Sequence, residues 1–321
     1  MITDATGDDT MKTMNYLFEV PEAKKVRMIV HTDCANEADD QFALAHHLMT
    51  PKFLVKGIVG AHFHMASEYR GIADTVGASV DEIRKILKLM DLEEQYPVFR
   101  GAELPLESET EPRPSEGAEF IIREALREDP HPLYIACQGS LTDIASAILT
   151  KPEICSRITI IWIGGGDRPR GGEEFNLMQD IAAANVVMKS EAAVWQVPKT
   201  VYKQMAVSLA ELQANVYPCG ELGKYLFTQM VELNKQLAAI PHWPHGEIWG
   251  LGDSPTIGLL LAESEKDDLY DVLPAHPFRY EDMTYDESVS CRPIRVYKDA
   301  NARLTLADFF AKLRINYPAE S

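Results

Sequence analysis

The chain has 321 residues, of which 46% are hydrophobic and 25% are charged, proportions that are normal for a globular protein. Its 31 basic and 49 acidic side chains give a formal net charge of −18, and such a surface repels the phosphates of nucleic-acid polymers. No apolar stretch reaches the roughly 18 residues that a membrane helix requires. We therefore expect neither a nucleic-acid polymer nor a membrane as partner.

Cysteines and the amino-terminal segment indicate the compartment. The five cysteines are dispersed, at 34, 137, 155, 219 and 291, without a C-x-x-C pair, which is typical of reduced thiols in a cytosolic protein. The first residues, MITDATGDDTMKTM, lack the basic start and apolar run of a signal peptide. We expect a cytoplasmic protein with a flexible leader at 1–24 and a single domain at 25–321.

Apolar runs alternate with helical patterns along the first half of the chain. Strands are predicted at 26–31, 54–60, 96–100, 133–137 and 158–163. Helices are predicted at 37–49, 65–93, 115–128 and 141–150, with Ser115 as the N-cap of the third. In the second half we predict a strand near 200–205, helices around 207–238 and 254–264, and a less regular tail.

This alternation predicts an α/β fold, a single-domain Rossmann-like architecture with a mostly parallel central sheet flanked by helices. In such sheets ligands bind beyond the carboxyl ends of the strands. The turns that follow residues 31, 60, 137 and 163 are therefore the places to look for a site.

An acidic segment, DCANEADD at 33–40, directly follows the first predicted strand. Its carboxylates, on Asp33, Glu37, Asp39 and Asp40, repel one another unless a cation compensates them. Hard oxygen ligands of this kind suit Ca²⁺ or Mg²⁺. Helix capping is the alternative, because the helix dipole stabilises an acidic side chain in a first turn by about 0.3–1 kcal/mol.

Together with later segments, this loop resembles the inosine–uridine preferring nucleoside hydrolase family. GSLTDIASAI at 139–148 resembles the family's Gly-Pro-Leu-Thr-Asn-Ile-Ala segment. ITIIWIGGG at 158–166, followed by the triplet EFN at 174–176, resembles its Met-Gly-Gly strand and Glu-Phe-Asn motif. GDSPTIGLLL at 252–261 resembles its late His-Asp-Pro segment. Asp33 matches the family's metal-binding and catalytic Asp, and Asp39-Asp40 its paired Asp-Asp.

The resemblance implies an enzyme that hydrolyses the N-glycosidic bond of a ribonucleoside and releases ribose and a base. It implies Ca²⁺ as cofactor, held by the carboxylates of Asp33, Asp40 and Asp253 and by the backbone carbonyl of Gln138. Asp33 would also be the general base on a metal-bound water, while the sugar passes through an oxocarbenium-like transition state. A homodimer or homotetramer is expected, as is common in the family.

The resemblance also implies sugar contacts. Asp39, Glu174 and Asn176 would hold ribose hydroxyls, and Ile163 would lie beside the sugar. Three further side chains are expected to contact the ligand: Asn36, His62 and Trp249. Capping remains open for Asn176 and Asp253, because both residue types are favoured at helix N-termini.

The chain departs from the family at several positions. His31-Thr32-Asp33 lacks the first acid of the usual Asp-x-Asp start, which also argues against a haloacid-dehalogenase-like phosphatase. Gly252 replaces the His that often helps a purine to leave. This replacement argues against hydrolysis of purine nucleosides, unless His242, His245 or Trp249 substitutes for that His. The residues therefore favour a metal and sugar site and leave the base or aglycone open.

Three hypotheses follow. The first is the Ca²⁺-dependent ribonucleoside hydrolase described above. The second is a hydrolase with the same metal and sugar site that acts on another glycoside or ribosyl derivative. The third is a non-catalytic nucleoside- or sugar-binding protein, which the retention of Asp33, the candidate base, disfavours.

Overall fold

A computed structural model describes residues 12–240, 243–244, 246–262 and 268–319. Its strands are β1 (Val26–Thr32), β2 (Phe53–Gly60), β3 (Val98–Arg100), β4 (Leu133–Cys137), β5 (Ile158–Ile163), β6 (Ala193–Val197), β7 (Ala206–Ser208), β8 (Ile248–Gly250), β9 (Tyr270–Pro274) and β10 (Pro293–Tyr297). Its α-helices are α1 (Asp40–Leu48), α2 (Ser67–Arg70), α3 (Thr75–Leu89), α4 (Glu116–Leu126), α5 (Thr142–Thr150), α6 (Phe175–Gln179), α7 (Ile181–Lys189), α8 (Lys199–Tyr202), α9 (Leu209–Asn215), α10 (Gly220–Gln236), α11 (Pro255–Leu261) and α12 (Ala302–Asn316). Short 3₁₀ turns lie at Glu22–Lys24, His64–Ala66 and Pro152–Arg157.

Eight of these strands form one sheet in the order β3-β2-β1-β4-β5-β6-β10-β9. Neighbouring strands run parallel except β10 and β9, which are antiparallel. The mostly parallel α/β fold predicted from the sequence is thus confirmed. The chain order reverses between β1 and β4, so the crevice beyond their carboxyl ends is the expected ligand site.

The sheet is buried on both faces. Successive side chains of a strand point to opposite faces, and in β1 Met28 and Val30 belong to one apolar cluster while Ile29 belongs to the other. The first cluster includes residues of α1, α10, α11 and α12, and the second includes residues of α4, α5 and α7. This double burial explains why the strands are continuous apolar runs.

Most predicted elements are confirmed within a few residues, and those at 133–137 and 158–163 match their strands in full. The long helix predicted at 65–93 is two helices, because Gly71 ends α2 in a left-handed conformation with φ of 65°. The strand predicted near 200–205 is wrong. That segment contains α8, which follows directly after Pro198, and the strands on either side of it are β6, which ends at Val197, and β7, which begins at Ala206.

Part of the predicted leader contacts the rest of the chain. The backbone N–H of Asn15 donates to Asn316 Oδ1 at 2.7 Å, and the Tyr16 hydroxyl donates to the carbonyl of Met49 at 2.6 Å. Residues 1–11 of the leader lie outside the described residues. In the described part of the chain, no helix combines the length and the apolar character needed to cross a membrane.

Packing of α11 against α12 fixes the segment that precedes α11. Gly258 in α11 lies directly against Thr305 in α12, and a Cβ added at Gly258 would overlap Thr305 Oγ1 and lie 3.1 Å from Thr305 Cβ. The absence of a side chain at Gly258 therefore permits this close approach of the two helices.

Replacing Gly258 by Ala tests this packing. In an unconstrained helix the change is stabilising by about 0.5–1 kcal/mol, but here overpacking should lower the free energy of unfolding by about 1–3 kcal/mol. Urea denaturation of the variant measures the effect. Gly250→Ala is the matched control, since a Cβ at Gly250 would meet no atom of the described residues within 4 Å. A Gly258→Ala protein as stable as the control would contradict the proposed close contact.

Candidate active site and metal centre

A cavity opens where the loops after β1, β4 and β5 meet the segment before α11. Its lining residues are Asp33, Asn36, Glu37, Asp39, Asp40, Gln138, Ile163, Glu174, Phe175, Asn176, Tyr202, Gly252 and Asp253. Residues more than 200 positions apart therefore share one wall, at the edge of the sheet where the sequence predicted the site.

Four buried aspartates dominate the cavity. Carboxylate oxygens of Asp39, Asp40 and Asp253 lie within 4.8 Å of one another. Asp33, which is 1% exposed, places its Oδ2 in the interior without a hydrogen-bond partner among the described residues. A buried, unpaired carboxylate oxygen beside three clustered carboxylates fits the coordination of a hard divalent cation.

Burial and mutual repulsion raise the pKa values of these groups. Burial, followed by the charge of Asp39, raises the pKa of Asp40 to about 8. Burial and the charge of Asp40 raise the pKa values of Asp33 and Asp253 well above the usual range. Burial raises the pKa of Asp39 to about 6, although the backbone N–H groups of Gly252 and Asp253 oppose the rise. Ionisation of the whole cluster at neutral pH therefore calls for a cation.

Helix capping does not explain the cluster. Asp39 occupies the N-cap position of α1, yet its side chain makes no capping hydrogen bond. Asp40 is the first residue of α1, and its Oδ1 accepts a short hydrogen bond from the Thr32 hydroxyl. Asp253 lies one residue before Ser254, the N-cap of α11. The geometry therefore favours the metal-binding interpretation for these aspartates.

The buried hydroxyl of Thr256 connects Gln138 with the segment that precedes α11. Thr256 donates to the backbone carbonyl of Asp253 at 2.7 Å. Its oxygen lies 3.0 Å from Gln138 Nε2 and 3.0 Å from His47 Nε2. A hydroxyl has one donor and two acceptor positions, so these three partners use all of them. Thr256 thereby holds Gln138 and Asp253 in fixed relative positions.

The predicted sugar-binding residues Glu174, Asn176 and Ile163 line the same cavity. Glu174 is the N-cap of α6, and its carboxylate accepts from the backbone N–H groups of Asn176 and Leu177. Asn176 Nδ2 donates to the carbonyl of Ile163 at 2.9 Å and to that of Gln138 at 3.3 Å. Both amide hydrogens are therefore used, and the side chain offers its oxygen to a ligand.

Two predicted ligand contacts, His62 and Trp249, do not line the cavity. His62 is fully buried, and its Nε2 lies 2.7 Å from Thr142 Oγ1 and 3.2 Å from Ser140 Oγ. Trp249 is 3% exposed and packs against Trp243, with ring centroids 5.4 Å apart. Of the alternative leaving-group acids, His242 and His245 lie outside the described residues.

Two lining residues, Phe175 and Tyr202, were not predicted from the sequence. Phe175 is the middle residue of the EFN triplet, between Glu174 and Asn176. Tyr202 ends α8, in the segment that was predicted to be a strand, so no sequence signal placed it near the site. Glu37, which belongs to the acidic segment, also lines the cavity, and burial followed by the charge of Asp39 raises its pKa to about 8.

His31 supports the loop from behind. Its Nε2 lies 2.9 Å from Asp143 Oδ2, and its Nδ1 lies 3.6 Å from Cys137 Sγ; all three residues are fully buried. Burial opposes protonation, but Cys137 and Asp143 raise the pKa of His31 to about 10. A charged pair therefore joins His31, near the end of β1, to Asp143, near the start of α5. His31 lies two residues before Asp33.

Comparison with known proteins agrees with this architecture. The chain is 24% identical over 250 residues to the pyrimidine-specific ribonucleoside hydrolase RihA of Salmonella arizonae, covering 70% of this chain and 74% of that protein. A purine-preferring ribonucleoside hydrolase from Gardnerella vaginalis has a similar structure, with a TM-score of 0.70 and 18% identity over 91% of this chain and 99% of its own. The plant nucleoside hydrolase PpNRh1 gives a TM-score of 0.69 and 16% identity over 90% and 98% of the two chains.

The match to a family extends over most of the chain. The family described as inosine-uridine preferring nucleoside hydrolase matches residues 28–296, a range that holds all thirteen residues lining the cavity. The resemblance inferred from the loop and motif order is thus confirmed. The protein belongs to the inosine-uridine preferring nucleoside hydrolase family and is an N-glycosidase.

Proposed function

We propose that this enzyme hydrolyses the N-glycosidic bond of a ribonucleoside in a Ca²⁺-dependent reaction that releases ribose and the base. The observation that carries the proposal is the buried cluster of Asp39, Asp40 and Asp253, in a chain of this family, beside an Asp33 Oδ2 that no described residue hydrogen-bonds. The relatives named above differ in base, one pyrimidine-specific and one purine-preferring. The proposal accordingly specifies the ribosyl bond and not the base.

The donor set supports Ca²⁺. Asp33, Asp40 and Asp253, with the backbone carbonyl of Gln138, would hold the ion, and Asp39 lies within the same carboxylate cluster. All these donors are oxygens, and Ca²⁺ takes six to eight oxygen ligands in flexible geometry. When bound, the ion supplies positive charge that acidifies water and attracts vicinal sugar hydroxyls.

The chain's own residues supply the remaining chemistry. Cleavage of the N-glycosidic bond develops positive charge on the sugar ring, and the carboxylates that surround the cavity stabilise that charge. Asp33 Oδ2, which is buried and has no hydrogen-bond partner in the described part of the chain, is available to accept a proton from the attacking water. The oxygen of Asn176 is available to a sugar hydroxyl, and Ile163 gives the sugar an apolar neighbour.

Asp33→Asn tests the assigned base. An amide does not take up the proton, so kcat at saturating Ca²⁺ should fall by about 10²–10⁴-fold. Ca²⁺ binding should also weaken, because Asp33 is a proposed ligand, and the metal-free variant should unfold at no lower temperature than the metal-free wild type, because one repelling charge is removed. The assay measures ribose release from inosine, uridine, cytidine and an aryl riboside, with Ca²⁺ and with chelator. Asp282→Asn, at an exposed position outside the cavity, is the matched control. Turnover that persists in Asp33→Asn would contradict the assigned base. A Ca²⁺-loaded wild-type enzyme that cleaves none of these ribosides would contradict the proposed function.

Asp253→Asn tests the metal centre with two opposite effects. Loss of one charged ligand should weaken Ca²⁺ binding by more than about tenfold, or 1.4 kcal/mol. The same change removes one of several repelling charges, so the metal-free variant should unfold at a higher temperature than the metal-free wild type. Calorimetric titration with Ca²⁺ and thermal denaturation in chelator measure the two effects. Unchanged Ca²⁺ affinity would exclude Asp253 as a ligand.

Thr256→Val tests the support below the metal centre. The change removes the hydroxyl that joins Gln138, His47 and the Asp253 carbonyl. The free energy of unfolding should therefore fall by about 1–3 kcal/mol. Ca²⁺ affinity should fall by about 10–100-fold, as is usual when a partner of a metal ligand is lost. Thr256→Ser keeps the hydroxyl and should bind Ca²⁺ like the wild type. Equal affinities of the Val and Ser variants would show that the hydroxyl does not support the site.

A further inference from the structure

Two positions at which the chain departs from the family pattern contact each other beside the end of β1. His31 stands where the family has the first acid of its Asp-x-Asp start, and Asp143 stands where the family's Gly-Pro-Leu-Thr-Asn segment has Asn. We propose that the two changes compensate each other, so that the acid absent at 31 is supplied from 143, and that the pair holds Asp33 where it binds Ca²⁺. His31 and Asp143 are then positioning residues. The inference rests on the proposed function and deepens it, because it names the groups that fix the assigned base.

Asp143 joins three parts of the chain through one carboxylate. The residue is fully buried, and its Oδ2 lies 2.9 Å from His31 Nε2. Its Oδ1 accepts hydrogen bonds from the backbone N–H of Ala102, at 2.8 Å, and from the hydroxyl of Ser115, the N-cap of α4. The acid at 143 therefore connects β1 near its end with the segment after β3 and with the start of α4.

His31 is held by its backbone as well as by its ring. Its carbonyl accepts from the backbone N–H of Gln138 at 2.8 Å, and its Nδ1 lies 3.6 Å from Cys137 Sγ. Because a chain advances at most about 3.6 Å per residue, the backbone of Asp33 lies within about 7 Å of that of His31. A shift of His31 would therefore displace Asp33 relative to Gln138, and both are members of the proposed ligand set.

Hydrogen-bonding capacity explains why the two changes belong together. A carboxylate only accepts, an imidazole N–H donates, and a side-chain amide does both. With His at 31, the acid at 143 accepts from the ring as well as from Ala102 and Ser115. With an acid at 31, an amide at 143 would donate to that acid, while its oxygen still accepted from the other two groups. Acids at both positions would place two buried carboxylates against each other, which is unfavourable.

Asp143→Asn and the double variant His31→Asp/Asp143→Asn test the compensation. In Asp143→Asn the ring N–H of His31 loses its acceptor, because the amide oxygen is used by Ala102 and Ser115. Ca²⁺ affinity should therefore fall by about tenfold, and kcat at saturating Ca²⁺ by up to about 10²-fold. Adding His31→Asp should reverse both losses, because the new acid accepts from the new amide. Calorimetric titration with Ca²⁺ and ribose release from a riboside that the wild type cleaves measure the two quantities.

Independent roles of the two residues predict the opposite sign. If His31 and Asp143 contributed separately, the second substitution would lower affinity and turnover further. The comparison uses only the wild type, Asp143→Asn and the double variant, so it does not depend on the folding of His31→Asp alone. A double variant that fails to fold, or that binds Ca²⁺ no more tightly than Asp143→Asn, overturns the inference.

Glu124→Gln is the matched control for the loss of a buried charge. Arg27 lies in β1, as His31 does, and its Nη1 lies 3.1 Å from Glu124 Oε1 of α4; the two residues are 4% and 6% exposed. This pair lies at the opposite end of the strand from the cavity. Glu124→Gln should lower the thermal midpoint and leave Ca²⁺ affinity and kcat unchanged. If Ca²⁺ affinity instead follows the thermal midpoint in every variant, the control included, the His31–Asp143 pair only stabilises the fold and the inference is overturned.

Ca²⁺ binding separates the inference from the proposed function, because the titration requires no turnover. If the wild type cleaves no riboside but the double variant recovers Ca²⁺ affinity, the proposed function fails and the inference stands. If the wild type cleaves ribosides but the double variant shows no recovery, the proposed function stands and the inference fails. A wild type that binds no Ca²⁺ overturns the inference whether or not it cleaves ribosides.

Discussion

Repulsion among buried carboxylates is the constraint on which the rest of this structure depends. Asp39, Asp40 and Asp253 bring oxygens within 4.8 Å of one another, and all three are less than 10% exposed. The start of α1 offers a favourable dipole, but such an effect contributes only about 0.3–1 kcal/mol for each charge. Unscreened carboxylates at this distance repel more strongly than that. The fold must therefore hold the cluster rigidly until a cation compensates it.

The contacts that hold the carboxylate cluster in place are distributed across the sheet. β1 delivers Asp33 beside β4, and its end is tied to α5 by the buried His31–Asp143 pair. Gly139 leaves space for the Asp33 carboxylate, since a Cβ there would lie 3.2 Å from Asp33 Cγ. Thr256 fixes the opposite wall through backbone and side-chain bonds together. Each of these contacts joins residues distant in sequence, so the carboxylate cluster forms only when the parallel sheet is assembled.

The difference between local patterns and contacts distant in sequence explains what the sequence could predict. Asp33, Asp39 and Asp40 are neighbours in the chain, so their charge density is visible without a fold, and the apolar runs of the central strands are equally local. His62 was expected at the cavity, but it is buried through a contact with Thr142, 80 positions away, which the sequence does not reveal. Trp249 packs against Trp243, and the sequence does not show which way either ring faces. Tyr202 was missed because a strand was predicted across a segment where Pro198 begins a short helix. Local patterns thus identify the acidic side chains of this loop, whereas the tertiary packing decides which neutral side chains line the cavity.

The departures from the family pattern fall on two sides of the cavity. His31 replaces the first acid two residues before Asp33, while Gly252 lies beside Tyr202 on the wall that Glu174 also lines. Neither departure removes a carboxylate from the set formed by Asp33, Asp39, Asp40 and Asp253, all of which line the cavity. The repulsion among these buried groups therefore constrains this chain as before, while the wall beside Glu174 is free to differ.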